Sequence, residues 1–352
     1  MSTENPAENL PQVSVICRTV GRPELQQALQ SIAAQDYPRI EIVLVDAAGT
    51  NSLDYDSATG DREVELVTTG RKLGRSAAAN AGLDAARGKY IQFLDDDDWL
   101  APNHVSQLVT ALTSDDSLGA AYSSTQKTDA SGELLGFVFK EDFDPILLMR
   151  DNFIPIHSIL FNSSLLEKGC RFDENFDIYE DWDFWLQLNE YCRFQHIDVI
   201  TAYYREGGDS NTAAEDVRLR YQANSVQGQA RIAIFDKWLP KWTGEQVNTL
   251  IGKLDQSLLL VEQNARIHKE LEKNAQLQHE VEQRDMQLNE TNSILDQLKL
   301  HSERQSNHVN ELEQRLNAIY DSTSWKLMGP VRRVGRAFTR GSSSDVDKSN
   351  SD

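Results

Sequence analysis

At 352 residues the chain is long enough to bury a full core and to hold more than one domain. It carries 55 Asp and Glu against 35 Lys and Arg, a formal net charge of -20, which excludes a general nucleic-acid binder because such a protein needs a basic footprint. Three cysteines without CxxC spacing point to reduced thiols in a cytosolic protein, and no apolar run approaches the ~20 residues of a membrane-spanning helix.

Residues 1–10 are polar and acidic, neither a secretory signal nor a structured element, and are expected to be disordered. Residues 11–242 alternate short apolar runs with helical patterns. VSVIC (13–17) reads as a strand, and Pro23 opens a helix through ELQQALQSIAAQ, with proline at the first helical position. IEIVLVD (40–46) and EVELVTT (63–69) are further strands. RSAAANAGLDAARG (75–88) is a helix stopped by Gly88, and KYIQFLD (89–95) is the next strand. Strand and helix alternating at this spacing predict an α/β fold, a Rossmann-like, doubly wound, mostly parallel sheet. Ligands of such sheets bind beyond the carboxyl ends of the strands, where Asp46 and the run Asp95–Asp98 fall.

That run, FLDDDDWL, places four carboxylates side by side. Two carboxylates about 4 Å apart repel by roughly 1 kcal/mol in water and about 4 kcal/mol at an effective dielectric near 20. One reading is a solvated acidic turn in which an Asp caps the helix after Pro102. The other is a hard divalent cation, Mg2+ or Mn2+, sharing its shell with a phosphate ligand.

Four stretches in order resemble the inverting glycosyltransferases of family 2, which have the GT-A fold: VSVICRTVGRPELQQALQSIAAQDYP, IEIVLVDAAGT, LGRSAAANAGLDAARGKYIQFLDDDDWLAP and FDENFDIYEDWDFWLQL. The resemblance implies a nucleotide-sugar donor bound by Thr19, Asp46, Asn80, Asp95 and Asp96, with Asp97 as the metal ligand. It implies Asp181 as the general base, and Glu180, Trp182 and His157 on the acceptor side. Glu180, Asp181 and Asp183 also suit a helix N-terminus, whose Trp182, Trp185 and Leu186 would face the core. The chain departs from the family pattern in Val45–Asp46–Ala47–Ala48–Gly49, and in Ala79, where relatives often have an arginine that Arg75 could replace one turn earlier. The histidine that often follows a late YR pair is absent after Tyr204 and Arg205.

From 243 to 320 the sequence is rich in Glu, Gln, Asn and Leu. Thr243 and Gln246 fit a capping box, and Leu260, Ile267, Val281, Leu288, Leu295, Val309 and Leu316 share one heptad position. Leu277, Leu298, Leu312 and Ile319 join them at the companion position, with Gln263, Glu270 and Arg284 as polar exceptions. A long C-terminal coiled-coil helix that joins copies into a homo-oligomer is expected; a single charged helix laid on the domain is the alternative. Residues 321–340 interleave Lys326, Arg332, Arg333, Arg336 and Arg340 with apolar residues, which suits the surface of an anionic bilayer, and 341–352 read as a disordered tail.

The expectation is a metal-dependent inverting glycosyltransferase of surface-polysaccharide synthesis, acting on a glycan or lipid-linked glycan acceptor. Its place would be cytoplasmic, with peripheral contact to the inner membrane face, and it would take Mn2+ or Mg2+ but no nucleic acid. A nucleotidyltransferase would need a glycine-rich basic loop after the first strand, and CRTVGRPE has one glycine. A non-catalytic coiled-coil scaffold carrying a degenerate domain is the rival of another class.

Overall fold

The computed structural model describes residues 9–207 and 217–327, so residues 1–8 and the segment 328–352 of the basic and Ser/Asp-rich end lie outside the described residues. The chain forms two compact units, Met1–Gln256 and Ser257–Asp352.

The first unit opens with β1 (Val13–Thr19), α1 (Leu25–Ala33), β2 (Ile40–Asp46), β3 (Glu63–Thr68), α2 (Arg75–Ala85) and β4 (Tyr90–Asp95). Every residue of β1 and β2 is buried, as expected of strands covered on both faces. Their side chains alternate between two cores. Val13, Val15 and Cys17 pack with α1, whereas Ile16 packs beside Ala78, Ala79 and Leu83 of α2.

The remaining elements are β5 (Trp99–Leu100), α3 (His104–Ser114), β6 (Leu118–Thr128), β7 (Leu134–Phe139), α4 (Pro145–Arg150), β8 (Ile159–Asn162), α5 (Glu180–Asn189), β9 (Arg193–Arg205) and α6 (Val226–Trp238). One nine-stranded sheet runs β3-β2-β1-β4-β8-β6-β9-β5, with β7 paired to β6. The half from β3 to β4 is parallel, as the alternation predicts. Beyond β4 the sheet is mixed, because β8 enters antiparallel between β4 and β6.

Two boundaries differ from expectation. The first helix begins at Leu25, not at Pro23; Leu25 N donates to Arg22 O at 3.2 Å, so the proline sits in the turn before it. α2 ends at Ala85, and Ala86 is extended (φ -69, ψ 131), so Gly88 is not its cap. Gly88 is required for a different reason. A Cβ there would lie 2.6 Å from the backbone nitrogen of Ser14, where the chain crosses β1.

α7 (Gly244–Asp321) starts at the expected capping box: Gln246 N donates to Thr243 Oγ1 at 3.2 Å, and Thr243 N to Gln246 Oε1 at 2.8 Å. Its first turns belong to the first unit, where Lys253 Nζ meets Asp144 Oδ2 at 2.6 Å. In the second unit the heptad residues are about half exposed, as Leu260 (58%) and Leu295 (47%) illustrate. No helix among the described residues is long and apolar enough to cross a membrane.

Candidate active site

The strand order reverses at β1, between β2 and β4, and the site lies at the carboxyl ends of β1 and β4. Parallel register sets Arg18 beside Asp95 and Thr19 beside Asp46.

Each aspartate of the acidic run has a partner, and Asp96 and Asp97 share one. Arg18, only 6% exposed, reaches Asp95 Oδ1 with Nε at 2.8 Å and Nη2 at 2.6 Å. Arg75 Nη2 lies 4.0 Å from the other oxygen. Burial disfavours the Asp95 charge, but the two guanidiniums outweigh it and hold its carboxyl below the usual range. Asp96 accepts from Thr19 Oγ1 at 2.6 Å and from Val20 N at 3.2 Å. One nitrogen of Arg22, Nη1, bridges Asp96 Oδ1 at 2.8 Å and Asp97 Oδ2 at 3.0 Å. Asp98 accepts from Arg205 N at 2.9 Å. His157 Nδ1 is 2.9 Å from Asp98 Oδ2 but out of line for a hydrogen bond, so their attraction is chiefly coulombic. A cavity of about 80 Å³ lies here, lined by Arg18, Thr19, Arg22, Arg75, Asp95 and Asp96 among others.

The second acidic segment opens α5. Its N-cap, Tyr179, is left-handed (φ 64, ψ 23), a strained conformation for a bulky residue. Glu180 is 4% exposed and lies 3.8 Å from Arg18 Nη1 and 3.9 Å from Arg75 Nη1. The same two arginines therefore tie this segment to Asp95. Asp181 points the other way, into a cleft of about 170 Å³ shared with Asn152, Tyr179, Tyr204, Lys127 and Arg220. Its Oδ1 accepts from Trp182 N and its Oδ2 from Asn152 Nδ2, both at 2.8 Å. Burial, and then the charge of Glu180, push the Asp181 carboxyl up to about 7. The Tyr179 hydroxyl is buried in the wall of this cleft with no hydrogen-bond partner.

Thr19, Asp95, Asp96, Asp97, Glu180 and Asp181 are thus brought together. Four other expected residues are placed differently. Asp46 is fully buried and accepts from Gly49 N (2.9 Å) and Asn51 N (2.8 Å), so it shapes the turn that follows Ala47 of the cavity wall. Asn80 exchanges hydrogen bonds with the backbone of Phe172, at 2.9 and 3.0 Å, and staples α2 to that loop instead of facing a donor. His157 is fully buried as the counter-ion of Asp98, not on an acceptor surface. Trp182 is fully buried too, with Nε1 donating to Leu148 O at 2.6 Å, so it belongs to the core and not to an acceptor surface.

Sequence reasoning missed Arg18, Arg22, Asn152 and Tyr179. A charged residue within an apolar strand was the available signal for Arg18; nothing local marks Asn152 or the backbone of Tyr179. Arg205, of the late YR pair, buttresses the acidic run from behind through Asp97 O at 2.9 Å.

No group of three or more metal-ligating side chains is gathered among the described residues. The donor chemistry at Asp97 nonetheless fits a hard cation. Burial, and then the charges of Asp98 and Asp95, push its carboxyl up to about 7, an excess of negative charge that an oxygen-seeking ion relieves.

Residues 13–168 match the profile of glycosyl transferase family 2. The protein y4gI of Sinorhizobium fredii is 26% identical over 255 residues, 70% of this chain but only 27% of that protein. The putative colanic acid biosynthesis glycosyl transferase WcaA of Escherichia coli is 28% identical over 196 residues, 51% of this chain and 67% of that one. Among solved structures, S. aureus TarS 1-349 in complex with UDP-GlcNAc is similar at TM-score 0.48 and 16% identity, over 64% of this chain and 73% of that one. The mixed sheet with its parallel, doubly wound half is that of the GT-A fold.

Proposed function

We propose, from the premise that this chain carries a glycosyltransferase family 2 domain, that it moves a sugar from a nucleotide-diphosphate donor to an acceptor hydroxyl with inversion. The observation that carries this reading is the division of labour between the two acidic segments. Asp95 and Asp96 are matched by arginines around one cavity, while Asp181 faces the neighbouring cleft held only by neutral donors.

The donor diphosphate lies against Arg18, Arg22 and Arg75, whose planar forks suit phosphate oxygens. The acceptor hydroxyl enters the cleft beside Asp181, with Tyr179 and Asn152 as polar neighbours. As the acceptor oxygen forms its bond to the anomeric carbon, Asp181 takes the hydroxyl proton, and the bond to the diphosphate breaks on the opposite face. Arg18 and Arg75 hold Glu180, and with it the start of α5, at a fixed distance from the donor side. Asp97 would hold a divalent cation, Mn2+ or Mg2+, which when bound supplies charge neutralisation at the leaving diphosphate.

The acceptor is a glycan or lipid-linked glycan of surface-polysaccharide synthesis, a reading supported by the name of the Escherichia coli relative. The heptad stripe of α7 pairs with further copies of the chain, and the basic residues from 326 to 340 rest on the inner face of a membrane. A sedimentation mass equal to one chain would remove the oligomer from this reading, and indifference to anionic vesicles would remove the membrane contact.

The test is calorimetric titration of UDP-, dTDP- and GDP-sugars, each with Mn2+ and each with chelator, followed by an assay of nucleotide release. One donor bound in a metal-dependent way is expected. A folded sample that binds none of them would favour a non-catalytic scaffold.

A further inference from the structure

We propose that Arg22 is a stand-in cation for the acidic run, which leaves Asp97 for the donor diphosphate as cation and donor bind, and so makes each bind more tightly in the presence of the other. This rests on the reading above that the cavity takes a nucleoside diphosphate and that Asp97 takes a cation.

A single nitrogen of Arg22 contacts both Asp96 and Asp97, at 2.8 and 3.0 Å. It stands where the run most needs positive charge. Asp95 has Arg18 and Arg75, and Asp98 has His157 and the backbone of Arg205. Asp96 is held in addition by Thr19 and Val20. Asp97 Oδ2 meets Arg22 at 3.0 Å, and Arg22 in turn lines the cavity that Asp95 and Asp96 share. A cation on Asp97 takes over the bond Arg22 now makes.

The displaced guanidinium has a destination close by. Arg22 lines the same cavity as Arg18 and Arg75. It stands on the short turn between β1 and α1, and its side chain is 23% exposed, so a rotamer change needs no repacking of the core. An anion in that cavity offers the oxygens that Asp97 gives up. Cation binding alone breaks the Arg22–Asp97 contact without replacing it. Donor binding alone draws Arg22 away and leaves Asp97 without its partner. Only with both bound do Asp97 and Arg22 each keep an ionic partner, while Asp96 keeps Thr19 and Val20; this is a coupling free energy between sites and is reciprocal by necessity. A ligand shifts such an equilibrium only by its differential affinity for the two positions of the arginine.

The experiment measures Mn2+ binding to the full chain by electron paramagnetic resonance, without nucleotide, for the wild type, Arg22→Gln and Arg22→Lys. It is repeated at saturating UDP, dTDP or GDP, whichever the wild type binds with Mn2+. A hydrogen bond to a charged group is worth a factor of roughly ten to a hundred in affinity. Arg22→Gln is therefore expected to bind Mn2+ alone about tenfold more tightly than the wild type, and to bind the nucleotide with Mn2+ about tenfold more weakly. Arg22→Lys keeps a bridging charge and is expected to retain the wild-type coupling. These opposite signs are not what simple damage to the loop produces. If Arg22→Gln binds Mn2+ alone no more tightly than the wild type, while the wild type binds nucleotide and metal together, the exchange is wrong and the donor reading stands. If the wild type binds no nucleotide with Mn2+, both fall.

Discussion

The run Asp95–Asp98 and the pair Glu180–Asp181 are both acidic, both partly buried and both tied to Arg18 at the end of β1, yet they are neutralised by different means. The first is met by guanidiniums, and Asp95 is held below the usual carboxylate range. The second is divided between its two members: Glu180 faces Arg18 and Arg75, while Asp181 faces a cleft with an amide and a backbone N–H as its donors. A carboxylate matched by two cations, Asp95, keeps its charge, whereas Asp97, which shares a single guanidinium with Asp96, is pushed up to about 7. The carboxylate meant to take a proton near neutral pH, Asp181, is buried, set beside another carboxylate and given only neutral donors.

The largest effect expected from breaking this contrast is at Asp181. Asp181→Asn is predicted to lower transfer by roughly 10²- to 10⁴-fold, with donor affinity by calorimetry nearly unchanged. Transfer at the wild-type rate would end its assignment as base. The wild type also has a pH signature. The base must be ionised and its pKa is raised to about 7, so kcat/KM should climb with pH through about 7, a limb absent from the variant. Stability runs the other way. A carboxyl whose folded pKa is raised contributes fully below its unfolded value of 3.8, and that contribution is lost as pH rises from there through about 7.

A smaller effect is expected at Asn152, the neutral partner. Asn152→Ala removes a hydrogen bond that favours the ionised form of Asp181, which raises its pKa. At pH 7 the rate should fall by about tenfold, recovering toward pH 9. A uniform loss across the pH range would mean that Asn152 only supports the loop. Asn152→Asp, which keeps the Oδ1 that accepts from Ile154 N, should move the limb further upward.

The smallest functional effect is expected at Asn80. Asn80→Ala strips both hydrogen bonds from the Phe172 backbone and should cost about 1–3 kcal/mol of stability, read from urea unfolding. Donor affinity should stay within about twofold, since Asn80 is not among the residues lining the donor cavity. Weaker donor binding at unchanged stability would restore Asn80 to the donor site.

The parallel half of the sheet was legible from local pattern. Continuous apolar strands ending in carboxylates, alternating with amphipathic helices, have few other solutions. The antiparallel entry of β8 was not, because ILFN carries no sign of the neighbours it will pair with. The acidic run announced a charged site at a strand end, and the capping box at Thr243 announced the long helix.

Sequence alone therefore determined the fold class, the strand ends where the site would form, and the residue types gathered there, because periodicity and strand-end chemistry are properties of neighbours in the chain. Tertiary structure decided which carboxylates are open and which are committed. Asp46, Asn80 and His157 were plausible ligands by position, but contacts with the 49–51 turn, with Phe172 and with Asp98 already occupy them. Arg22 and Asn152 became relevant only when folding brought them within 3.0 Å of acids 75 and 29 residues away. The protonation of a carboxylate depends on burial and on charges a few ångströms off, and no stretch of sequence states those distances.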